Sequence, residues 1–115
     1  MAVSKPEEVL AHHLKLSGIK FEREACLIPK RKYRFDFVLP YGILIEVQGG
    51  LHLGWQGGHS SKKGILRDME KSNLATFHGY RLLCFDSGAV YSGSAIAFIQ
   101  DLIHKLKDEE RRKAC

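Results

Sequence analysis

Cysteine, proline and tryptophan are scarce in this chain, and it has neither a long apolar run nor an acidic excess. The three cysteines, Cys26, Cys84 and Cys115, are odd in number and far apart. That excludes a disulfide framework and the paired spacing of zinc ligands, and a reducing, cytoplasmic setting is expected. No apolar run approaches the roughly 20 residues of a membrane-spanning helix, so no membrane partner is expected. The opening MAVSKPEEVL has no hydrophobic region followed by small cleavage residues, which speaks against secretion. With no internal repeat, low-complexity tract or linker, the 115 residues suit one domain over 1–115, with 105–115 a charged tail that frays into solvent.

A composition of 44% hydrophobic and 27% charged residues supports a folded core and argues against wholesale disorder. Lys and Arg number 18 against 13 acids, a formal charge of +5. Such a surplus suits a polyanionic partner, and it suits a soluble basic protein without one equally well. The placement of the charge is more informative. Basic residues cluster in PKRKYR (Lys30, Arg31, Lys32, Arg34) and along Lys62, Lys63, Arg67 and Lys71.

A first helix is expected from about Lys5 to Ser17, with Ser4 and Glu7 as a capping box, Pro6 in the first turn and Gly18 as the stop. Val9, Leu10 and Leu14 mark its apolar face. Three strands follow: Phe21 to Ile28, Tyr33 to Leu39 and Ile43 to Gln48, the last two joined by a Pro40-Tyr41-Gly42 turn. Alternation puts Tyr33, Phe35, Phe37 and Leu39 on one face of the second strand, and Arg34, Asp36 and Val38 on the other. A second helix capped by Ser60 or Ser61 runs to about His78, its stripe Ile65, Leu66, Met69, Leu74 and Phe77. Tyr80 to Phe85 reads as a buried fourth strand. Beyond the Asp86-Ser87-Gly88 turn, a final helix from Ser94 carries Ile96, Ile99, Leu102, Ile103 and Leu106. The expected fold is α/β, a mixed four-stranded sheet flanked by helices in the order α-β-β-β-α-β-α.

Carboxylates are depleted in strands as apolar as ILIEV, and an ionised Glu on a half-buried face is costly unless it is paired or binds a metal. Glu46 and Gln48 share a face of the third strand, and a hairpin would bring Asp36 beside them. Converging carboxylates supply the hard oxygen ligands that suit Mg²⁺ or Mn²⁺, ions that activate water and stabilise charge on a phosphoryl group. Salt bridges, Asp36 with Arg34 or Arg23 and Glu46 with a neighbouring Lys or Arg, are the plainer explanation for either acid alone. Two such acids with a matched polar residue in a basic chain favour the metal.

The succession RFDF, a short turn, then ILIEVQGG resembles the PD-(D/E)XK nuclease superfamily, whose fold is restriction-endonuclease-like. Downstream, RDMEKSNLATFHGYRLLCF resembles the helix-then-strand segment of very-short-patch-repair endonucleases. Phage-type VRR-NUC and Holliday-junction-resolvase-like nucleases share the order of elements. The resemblance implies a Mg²⁺- or Mn²⁺-dependent endonuclease acting on DNA, with a phage or mobile-element role by analogy. It implies Asp36 and Glu46 as metal ligands, the Val47 carbonyl as a further one, and Glu8, with Glu7 the second choice, as the first-helix acid. Gln48 departs from the family's Lys. It can orient water but carries no charge, so a cation from the second helix, Lys71 or Arg67, is the candidate replacement.

The remaining candidates contact nucleic acid. Lys30, Arg31, Lys32, Arg34, Lys62, Lys63, Arg67 and Lys71 would bind phosphates. In the glycine-rich loop from Gly49 to Ser61, Trp55 would stack on a base, and His52 and His59 would lie near the phosphate. A His-metal nuclease of the HNH type is a rival reading that the spacing fits poorly. A nuclease fold that only binds nucleic acid or a partner is the main alternative, supported by Gln48, and a merely basic structural or inhibitory protein is the third. A homodimer through the final helix would provide two sites, although covering its own sheet is that stripe's simpler use.

Overall fold

The computed structural model describes residues 5–48 and 62–114. Ser4, Ser60, Ser61 and the whole loop with His52, Trp55 and His59 lie outside them. Helix α1 covers Lys5–Leu16 and ends as Gly18 suggests. Gly18 sits at φ +70° while the Ile19 amide returns to the Leu14 carbonyl and the Gly18 amide to that of Lys15, so two carbonyls of the last turn find donors. Leu10 and Leu14 are fully buried.

The sheet contains β1 (Glu22–Ala25), β2 (Phe35–Leu39), β3 (Ile43–Gln48) and β4 (Arg81–Asp86), in that spatial order. The first two pairings are antiparallel and β3 with β4 is parallel, the mixed sheet expected. A 3₁₀ turn at Pro40–Gly42, with Tyr41 and Gly42 both at positive φ, closes the β2–β3 hairpin on the Leu39–Ile43 pair. Strand β1 is shorter than Phe21 to Ile28. Glu24 adopts φ +53° and Lys30 +63°, and the chain leaves the sheet after Ala25.

Two apolar clusters lie against the sheet. The larger joins Leu10, Leu14, Phe37, Leu39, Ile43, Ile45, Val90, Ile99 and Leu106, and the smaller joins Ile28, Phe35, Leu44 and Ala75. Phe35 therefore parts from Phe37 and Leu39, with which strict alternation groups it. The β2–β3 backbone pairs run only from Leu39–Ile43 to Phe37–Ile45, and Phe35 lies beyond them.

Helix α2 is Lys62–Phe77, and its expected stripe is a correction: Ile65, Leu66, Met69 and Phe77 are exposed. Of that stripe Leu74, half-buried, does meet the core, beside buried Ala75. Strand β4 is likewise not buried. It is the sheet's edge among the described residues, which leaves Arg81, Cys84 and Asp86 exposed. The Asp86-Ser87-Gly88 segment starts a short helix, α3 (Ser87–Ser92), capped when the Asp86 carboxylate accepts from the Ala89 amide at 2.9 Å. Helix α4 spans Ser94–Ala114, so residues 105–114 are helical where a fraying tail was expected. Pairs such as Asp108 with Arg111, at 2.6 Å, run along its last turns. Its stripe lies on its own sheet, with Ile99 fully buried.

Candidate active site

The β2–β3 ladder ends one residue short of two acids, and side chains take over from backbone there. The Asp36 amide donates to Glu46 Oε2 at 3.2 Å, and the Val47 amide donates to Asp36 Oδ2 at 2.8 Å. Each carboxylate thus satisfies a backbone N–H of the other strand, which fixes both acids where the strands part. Asp36 and Glu46 are half-buried and Gln48 is exposed at the strand end.

A third and a fourth acid approach from elsewhere. Glu24 is opposite Asp36, since the Arg23–Phe37 and Ala25–Phe35 pairs bracket that position. From α1 comes Glu7, buried to 6% exposure. Glu7, Glu24 and Asp36 each offer an oxygen within 4.8 Å of the others. Glu8, the first choice from the sequence, is outside this group: its side chain is 54% exposed and bonds Arg23 at 2.6 Å. Helix phase alone did not separate Glu7 from Glu8; the packing of Leu10 and Leu14 does, by turning Glu7 inward.

Two cations face these acids. Arg23 Nη2 also bonds Glu7 Oε2 at 2.9 Å, and its guanidinium lies 5.3 Å from the centre of the Phe37 ring. Lys71 of α2 pairs with Glu46 Oε1, its ammonium 4.6 Å from the centre of the Phe35 ring. As salt-bridge partners the sequence offers Arg34 or Arg23 for Asp36 and a Lys or Arg of a neighbouring strand for Glu46. Arg23 goes to Glu7 and Glu8, and the partner of Glu46 comes from a helix.

Burial holds the Glu46 carboxyl above its usual range, with the charge of Asp36 adding to the effect and Lys71 opposing it. Glu7 is raised for the same reason: burial first, then opposition from Arg23 and reinforcement from Asp36 and Glu24. The donor set is all oxygen, with the charge of Asp36 raising the proton affinity of Glu46, and Asp36 and Glu24 raising that of Glu7. Such a set fits a hard divalent cation, whose charge would relieve the mutual repulsion.

The basic residues fall into two groups. Lys30, Lys32, Arg34, Lys62, Lys63 and Arg67 are exposed. Arg31, also exposed, bonds Glu70 at 3.2 Å, and Tyr33 Oη donates to the same oxygen at 2.5 Å. These bonds tie the 26–34 segment to α2 one residue before Lys71. Trp55 and His59 lie outside the described residues.

No family model matches the chain, and no curated protein matches it by sequence. Among solved structures it is similar to the catalytic domain of the homing endonuclease I-Bth0305I. The two share 20% identity over 90% of this chain and 93% of that one, with a TM-score of 0.61. At that identity the likeness is one of fold: a single α/β domain with a mixed four-stranded sheet flanked by helices.

Proposed function

We propose that the protein is a divalent-metal-dependent endodeoxyribonuclease. The observation that carries this reading is the interlocked pair Asp36 and Glu46 at the end of the β2–β3 ladder, with Lys71 on Glu46. A fold shared with a homing endonuclease catalytic domain supports it.

Asp36 and Glu46, with the Val47 carbonyl, would hold Mg²⁺ or Mn²⁺, and Glu7 would support the ion's hydration shell in place of Glu8. Such an ion polarises a phosphoryl oxygen and lowers the pKa of bound water. Gln48 orients the attacking water by hydrogen bonding, since its amide carries no charge. Lys71 supplies the missing positive charge. Its stem approaches from α2, and its ammonium already touches the acid two residues before Gln48. Lys62, Lys63 and Arg67 on the exposed surface of α2, with Lys30, Arg31, Lys32 and Arg34, are proposed to bind backbone phosphates, which fits the basic surplus.

Gln48 alone favours the second reading, a nuclease fold that binds DNA without cutting it. Four acids near a surface meant for phosphates weigh against that, because a binding surface gains nothing from them. Calorimetry with Mn²⁺ separates the two. The nuclease reading expects binding that Asp36→Asn and Glu46→Gln each weaken at least tenfold; a wild type that takes up no Mn²⁺ sinks it.

A further inference from the structure

The site as read above leaves Arg23 and Glu8 without a role in the chemistry, yet both are built around Glu7. One guanidinium nitrogen, Arg23 Nη2, bonds Glu7 at 2.9 Å and Glu8 at 2.6 Å. The two acids differ sharply in environment: the Glu7 side chain is 8% exposed and the Glu8 side chain 54%. Glu7 also has oxygens of Glu24 and Asp36 within 4.8 Å, so it has the Arg23 cation on one hand and, on the other, Asp36, which would hold the metal. Phe37, directly opposite Arg23 across the β1–β2 pair, lies 5.3 Å beneath the guanidinium and limits where it can go.

We propose that Arg23 is a built-in counter-ion that shares Glu7 with the metal, and that Glu8 is the partner that keeps Arg23 when Glu7 turns to the ion. This rests on the metal-site reading and adds its regulation. In the metal-free protein Arg23 offsets the repulsion among Glu7, Glu24 and Asp36. Glu7 would be shared between the guanidinium and a divalent cation held beside it, and the two positive charges would repel each other. Arg23 has little distance to travel, because Glu8 already accepts from the same nitrogen and faces solvent. Arg23 and Glu8 are thus positioning residues: neither touches the metal, and both set how tightly it is held.

The test is a double-mutant cycle on Mn²⁺ binding, read by calorimetry with no DNA present. Arg23→Gln removes the competitor and tightens Mn²⁺ binding by roughly fivefold, the low end of coupling between linked sites. Glu8→Gln leaves Arg23 with Glu7 alone and weakens binding by about the same factor. The double variant binds as Arg23→Gln does, because Glu8 acts only through Arg23. Arg23→Lys, which keeps the charge, returns affinity towards the wild type. Thermal unfolding with and without Mn²⁺ gives an independent reading: the Arg23→Gln variant is destabilised in EDTA and gains more from the metal than the wild type does. If Glu8→Gln weakens Mn²⁺ equally with and without Arg23, the effect is only long-range charge and the exchange is wrong. Weaker binding by Arg23→Gln, in a wild type that does bind Mn²⁺, overturns this inference alone. No binding by the wild type overturns the metal site itself and this inference with it.

Discussion

Asp36 and Glu46 each accept a hydrogen bond from the other's strand, so each acid has a structural part beside the chemical one proposed for it. Their isosteric amides separate those roles. Asp36→Asn and Glu46→Gln keep the shape, and each is expected to lower cleavage by roughly 10² or more, the scale of losing one preorganised charge. Lys71→Met keeps an apolar stem against Phe35 and removes the cation. A comparable loss of kcat is expected, with part of it restored when Gln48→Lys is added. No recovery in the double variant would contradict the assignment of Lys71. Glu7 gives a pH test. Burial raises its carboxyl above the usual 4.5, so the folded state holds that proton more tightly than the unfolded chain. Stability from this group is therefore lost as pH rises through the raised value, and metal-free Glu7→Gln should melt higher than the wild type at neutral pH. The advantage should shrink as pH falls towards 4.5 in a thermal-shift series with EDTA.

Helix α2 carries Lys71, and among the described residues it is held where Leu74 and Ala75 pack on Ile28, Phe35 and Leu44 and where Glu70 bonds Arg31 and Tyr33. Tyr33→Phe removes one of those bonds at an exposed site, so the fold should survive while kcat falls several-fold through misplacement of Lys71. Unchanged kcat would show that the packing alone places the helix. By contrast α4 is deeply seated, and Ile99→Ala should cost about 2–5 kcal/mol in denaturant unfolding. These differences mark what could be read in advance. The order of elements apart from α3, the hairpin and the long stripe of α4 were legible, because periodicity and turn residues are local signals. The exposure of Ile65, Leu66, Met69 and Phe77 was not, because a stripe does not say what it meets. The choice of Glu7 over Glu8 and the Lys71–Glu46 pair also depend on packing between elements distant in the chain. Glu24 was missed altogether: an acid on a short strand signals little until its register with Asp36 is known.

Across the whole molecule, a charge of +5 is combined with an acidic centre. DNA affinity should therefore fall steeply with salt, and each of Lys62→Ala, Lys63→Ala and Arg67→Ala should reduce the slope of log K against log salt by about one. A slope unmoved by all three would place the DNA elsewhere. The stripe of α4 lies in its own core, so a proposed second copy would need another surface, and sedimentation should show whether species heavier than 13.0 kDa form on DNA. The most direct measurement is cleavage of supercoiled, linear, single-stranded and four-way-junction DNA in Mg²⁺, Mn²⁺ or EDTA. Wild type, Asp36→Asn and Glu46→Gln would be compared side by side. The expected result is cutting that requires the metal and disappears in both variants. Binding without cutting under every condition, or cutting that survives both substitutions, would contradict the nuclease centre proposed between β2 and β3.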